Sequence, residues 1–204
     1  MESLNQLISE TLFLELEMLH CTKNCTLELA SVYDEEVFQT IRGNQLKSWN
    51  YPMLESYRRD IGNALAERRN LYCERYAHLL VQLDPGKYQN LQDGLPKIVI
   101  EKRWLVDWNC QARRSWWEAL GCMRVEAQML MWSLYKNADK MDQEVCLRSE
   151  LMTYSVETLR LYAAYVEKLQ KEGKNIDQII LAQILNGYGY SSLDDAVQKR
   201  MTEL

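Results

Sequence analysis

Wound as helices at about 100° per residue, four segments of this 204-residue chain turn charged or hydrogen-bonding side chains onto their own apolar faces. In FQTIRGNQLKSW, Phe38, Arg42, Gln45, Leu46 and Trp49 share one face. Glu15 falls inside the face made by Leu4, Ile8, Leu12 and Leu19, whereas Glu17 falls outside it. Arg68 and Arg75 lie within the face of Tyr57, Ile61, Leu65, Leu71, Tyr72 and Leu79. A fourth face, Leu147, Leu151, Tyr154, Leu161, Tyr162 and Tyr165, covers Arg148 in its arc and has Glu150 at its edge.

Burying an unpaired charge costs on the order of several kcal/mol, so these groups must meet one another, backbone carbonyls, water or a ligand. One reading is a structural ion-pair network in a non-enzymatic protein-interaction module, Glu15 and Glu150 neutralising two arginines and the other long side chains reaching solvent. The other is a polar cleft between helices. Because Arg42, Arg75 and Arg148 outnumber the inward carboxylates, such a cleft favours a carboxylate or phosphate held by bidentate bonds. The ligand-binding set is then Arg42, Gln45, Trp49, Arg75 and Arg148, with an anionic ligand of aromatic or amino-acid-like character. Turnover would need Glu15 or Glu150 as general acid or base and Tyr154 as proton donor, with acidities tuned by burial and by the arginines. Gln45, which both donates and accepts, is the member expected to reach beyond the protein's own charges.

Other chemistries lack their residues. HCTKNC places Cys21 and Cys25 four apart beside His20, but a zinc site needs about four ligands, and the only other histidine is His78. Glu17 and His20 supply one Glu-x-x-His pair; three residues before His78 stands Arg75, so a di-iron carboxylate bundle lacks its second pair. No metal and no cofactor is expected, although His20 or His78 as a haem ligand stays open. There is no GxSxG elbow, and neither GxxxxGK[ST] nor GxGxxG occurs.

The elements that must hold these residues read as all-α. Three prolines and eight glycines punctuate a chain whose long stretches repeat apolar residues at three and four. Helices are expected from about Ser3 to His20, from an Asp34 cap onward with Glu35 and Glu36 in the first turn, and from Pro52 to Leu83 with little interruption. DPGKYQNLQDGLP, residues 84–96, is the clearest connector and divides one domain, residues 1–204, into two halves. A long helix or a pair broken near Gly121 follows from Ile98 to about Tyr135, with Leu105, Trp108, Ala112, Trp116, Ala119 and Met123 on its stripe. Trp104, Trp117 and Trp132 fall off it, which suits flanking helices on several sides, an aromatic-lined pocket or a homodimer interface. A helix from about Gln143 to Glu172 ends at Gly173, Asn175 caps another, and Ser192 with Asp195 starts a last one. The expectation is a single-domain bundle of about seven or eight helices.

Composition bounds the partners. A net charge of −5 with pI near 5.2 argues against nucleic acid, which is gripped by clustered Lys and Arg. No run approaches the roughly 18 apolar residues of a membrane span. The N-terminal stretch has no basic n-region and carries glutamates among its apolar residues, so a cytoplasmic location is expected. Six scattered cysteines read as free, mostly buried thiols.

Several motifs together resemble the bacterial domain-of-unknown-function 4125 family. They are LELEML with Asn24; Phe38, Ile41, Arg42, Gln45 and Trp49; LESYRRDIGNALAERRNLYCERYAHLL; LRSELMTYSVETLRLY; and EGKNIDQIILAQILNGYGYSSLDDA. The resemblance covers most of the chain, least from about Ile98 to Asn137, and implies a helical domain without an assigned activity. Between Asn24 and Phe38 the family pattern implies a glycine-rich loop with a cysteine and a glutamine, whereas this chain reads CTLELASVYDEEV. A diverged member with its own ligand fits that departure.

Overall fold

A computed structural model describes residues 3–24, 35–123 and 143–201. Its helices begin where a side chain can take the amides that a helix start leaves unpaired. Ser3 caps α1 (Leu4–His20), α2 is Glu35–Lys47 with Glu35 and Glu36 in its first turn, and Asn50 caps α3 (Tyr51–Ala66) with Pro52 just inside. Asn70 caps α4 (Leu71–Leu83), Asp84 caps α5 (Pro85–Leu91), and α6 spans Ile100–Met123. After α7 (Gln143–Leu151), Ser155 caps α8 (Val156–Lys171), Asn175 caps α9 (Ile176–Gly187), and α10 is Leu193–Met201. The expected Asp34 cap and Trp132 lie outside the described residues. No described helix is long and apolar enough to cross a membrane.

An all-helical bundle is what the periodicity predicts, but the described residues hold ten α-helices instead of seven or eight. Two breaks and one extra helix make the difference. The helix expected to run with little interruption from Pro52 to Leu83 is two, the first stopping at Ala66, where Arg68 takes φ 57° and the amide of Arg69 returns to the carbonyl of Ala64 at 2.8 Å. A non-glycine residue at positive φ costs about 1 kcal/mol. Asn70 offsets it: its Oδ1 accepts from the amides of Tyr72 and Cys73, while its Nδ2 donates to the carbonyl of Met18 at 2.6 Å, tying α4 to the end of α1. The helix expected from Gln143 to Glu172 breaks at residues 152–155, where Asp60 on α3 accepts from the Ser155 amide at 2.9 Å. The connector at 84–96 is itself helical over α5, since Asp84 and Pro85 supply a cap and a first turn. Gly173 does end α8 in the left-handed region, at φ 65°.

One apolar cluster draws residues from α1 to α3, α4 and α6 to α10, including Leu7, Met53, Leu54, Ile61, Leu159, Ile176 and Ile184, all essentially inaccessible. The cysteines are not uniformly thiols: Cys21 and Cys110 are, but Cys73 is disulfide-bonded. Spacing along a chain does not reveal which cysteines a fold brings together.

Candidate functional site

The centre of the inward polar set is Arg42, carried by α2 into the space between α1, α3 and α7. Its Nε donates to Glu15 Oε1 and Oε2 at 2.9 and 2.8 Å, and its Nη2 donates to Glu15 Oε1 at 2.6 Å and to the Tyr57 hydroxyl at 3.2 Å. Nη1 donates to Gln45 Oε1 and to Glu150 Oε1, both at 2.8 Å. A guanidinium has five N–H groups, so every donor of Arg42 has a protein acceptor. Tyr57 donates its own proton to Glu15 Oε1 at 2.6 Å, and Tyr154 donates to Glu150 Oε1 at 2.6 Å. The break after α7 accommodates the second bond: Tyr154 lies just beyond the end of α7 at Leu151 and keeps Glu150 in reach while α8 departs.

Aromatic rings close the cluster. The Arg42 guanidinium lies 5.5 Å from the ring centres of both Trp49 and Tyr57, within the reach of cation–π attraction. Trp49 meets Tyr57 edge to face at 5.3 Å and Tyr154 at 6.0 Å, and Tyr57 and Tyr154 lie 4.8 Å apart. Arg75, on α4, approaches Glu150 Oε2 at 3.6 Å with its side chain 32% exposed.

Burial alone would raise the Glu150 carboxyl, but Arg42 and Arg75, with hydrogen bonds from Tyr154 and Arg42, overcome it and hold the group at about 2. Burial works against the Arg42 charge too, and Glu15 and Glu150 outweigh it, so the guanidinium is held more firmly protonated than usual. Burial, joined by Glu15 for Tyr57 and by Glu150 for Tyr154, pushes both phenols well above their ordinary range. A carboxylate at about 2 is a weak base and such a phenol a weak acid.

Of the residues that helix phase selected, Glu15, Arg42, Gln45, Trp49, Arg75, Glu150 and Tyr154 come together. Arg148 does not: it pairs with Asp107 on α6 and, at 3.4 Å, with Glu144, on the other side of α7 and 35% exposed. Its removal changes the charge balance, because Arg42 and Arg75 now face Glu15 and Glu150, two against two. The cationic excess that favoured an anion at this centre is therefore absent. Gln45 also differs from expectation, since its carbonyl oxygen is taken by Arg42 itself; its amide nitrogen has no partner among the described residues.

A second buried arginine escaped the periodicity. Arg113 on α6 pairs with Asp177 at the start of α9 (Nε to Oδ2, 3.3 Å), donates to the Tyr162 hydroxyl at 2.7 Å, and lies 5.3 Å from the Trp117 ring. The tryptophan stripe misplaced the buried face of α6. Val106 and Cys110, both inaccessible, with Leu105 and Asn109 centre it about 90° away. The spacing Val106, Cys110, Arg113, Trp117 was the signal available. Among the described residues no group of three or more His, Cys, Asp or Glu side chains is placed to hold a metal ion.

A family model described as "Protein of unknown function (DUF4125)" matches residues 5–198. No curated protein and no solved structure matches the chain.

Proposed function

The chain belongs to the DUF4125 family of proteins of unknown function, and from that premise we propose that it is a non-catalytic binding domain whose buried Arg42 network is a structural ion-pair centre. The observation that carries this reading is the saturation of Arg42: all five of its donors end on Glu15, Glu150, Gln45 and Tyr57. A group with no spare donor offers a ligand nothing without first breaking a protein bond. The low acidity of the phenols and the low basicity of Glu150 argue in the same direction against proton transfer here.

A second reading, in which an anionic small molecule lies against the outer edge of the network, draws support from the unpaired Gln45 amide and the partial exposure of Arg75. A thermal-shift screen with carboxylates, phosphates and aromatic amino acids separates the two. The structural reading expects Gln45→Leu to leave any anion-induced rise in Tm unchanged; the edge-site reading expects that rise to disappear in Gln45→Leu and in Arg75→Gln. A cytoplasmic location and a homodimer remain proposals consistent with either reading.

A further inference from the structure

On the far side of α7 from Arg42, a cavity of about 260 Å³ opens between α4, α5, α6 and α7. Its wall is apolar where Val106, Val145 and Met152 meet, and polar at His78 and Ser149. His78 is 8% exposed, and neither ring nitrogen has a hydrogen-bond partner among the described residues. Burial and the neighbouring Lys102 hold the imidazole down to about 4, so at neutral pH it presents one donor and one acceptor. The ring nitrogens keep access to the cavity, so their hydrogen bonds fall to water or to a ligand that enters it. At the rim stand Arg103, Arg148 and Asp107, with Glu144 also bonded to Arg148. Arg148 gives one N–H to Asp107 and one to Glu144, leaving donors available.

We propose that this cavity is a binding site for a small carboxylate with an apolar, ring-sized body and a second hydrogen-bonding group. The carboxylate sits at the rim with Arg148 and Arg103, the body lies on Val106, Val145 and Met152, and the second polar group satisfies His78. The cavity falls just below the roughly 300 Å³ where pockets for drug-sized ligands begin, which limits the occupant to a metabolite-sized molecule. None of the lining residues hydrogen-bonds Arg42, so the site stands or falls independently of the structural reading of the network.

The test uses the full chain and three probes, followed by NMR at the His78 ring nitrogens and the Val106 and Val145 methyls. 4-Hydroxyphenylacetate is expected to shift all of these signals. Phenylacetate, which cannot reach His78 with a hydroxyl, and 4-hydroxyphenylacetamide, which lacks the charge, are each expected to bind about tenfold more weakly. Arg148→Gln, at a partly exposed position, is expected to weaken 4-hydroxyphenylacetate about tenfold while leaving 4-hydroxyphenylacetamide binding unchanged. Arg103→Gln, on the exposed rim, serves the same purpose if Arg148→Gln does not fold. Shifts confined to other parts of the molecule, no shift at saturation of solubility, or equal binding of acid and amide would overturn the proposal.

Discussion

The two faces of α7 have opposite hydrogen-bonding states. Toward α2, Glu150 meets a guanidinium whose every donor is occupied, ringed by Trp49, Tyr57 and Tyr154. Toward α6, Ser149 and Arg148 face a void beside an imidazole with no partner. The first region is richer in the residues that suggest chemistry, yet the second has the unused bonding capacity and the volume that a ligand requires. Inward-pointing charge is thus a poor guide to a binding site until its partners are counted.

The largest effect that could break this contrast is at its centre. Arg42→Met strands Glu15 and Glu150 as buried carboxylates and is expected to cost about 3–5 kcal/mol in urea unfolding. A loss below about 1 kcal/mol would mean that the network is not structural.

Acid separates the regions by pH window. Glu150 is depressed from 4.5 to about 2 on folding, so its contribution is present above the unfolded value and disappears as pH falls from about 4.5 toward 2, on the order of 3 kcal/mol in all. His78 is depressed from 6.5 to about 4. The unfolded chain binds that proton first, so stability falls as pH drops from about 6.5 toward 4, by no more than about 3 kcal/mol. Burial and Lys102 oppose the protonated ring, and Arg103, Arg148 and Asp107 line the same cavity. Denaturation profiles against pH are expected to lose the upper window in His78→Gln and the lower window in Glu150→Gln. If one substitution removed both, the regions would be coupled.

Tyr57→Phe deletes one acceptor of Arg42 and one donor to Glu15, and is expected to cost about 1–3 kcal/mol in the same unfolding assay. Smallest of all, Arg148→Met removes only partly exposed pairs, with an expected loss under about 1 kcal/mol. A cost matching that of Arg42→Met would put Arg148 back into the structural set.

Much of the central network was legible in the sequence because helix phase is a local property. Helix phase puts Glu15, Arg42, Gln45, Arg75 and Tyr154 on apolar faces of four segments and Glu150 at the edge of one, and the helix boundaries near Ser3, Pro52, Gly173 and Asn175 are legible for the same reason. Arg148 was misplaced because its phase was read along one unbroken helix, whereas the chain turns at residues 152–155 under tertiary bonds such as that from Ser155 to Asp60. The stop after Ala66 is hard to see because AERR favours a helix and only Asn70 signals a new start; the bond from Asn70 to the Met18 carbonyl that accompanies the turn is tertiary. The cavity had no signature at all, since its walls come from four separate helices and the stretch before α6. Arg113 was lost among tryptophans whose size drew the apolar stripe toward them.

The central claim is that Arg42 is satisfied by the protein while Arg148 retains donors for a ligand, and arginine side-chain NMR reads both at once. On titration with 4-hydroxyphenylacetate, the Arg42 N–H signals are expected to stay slowly exchanging and unmoved while the Arg148 Nε–H signal shifts. Movement of Arg42 with Arg148 unchanged would contradict the account.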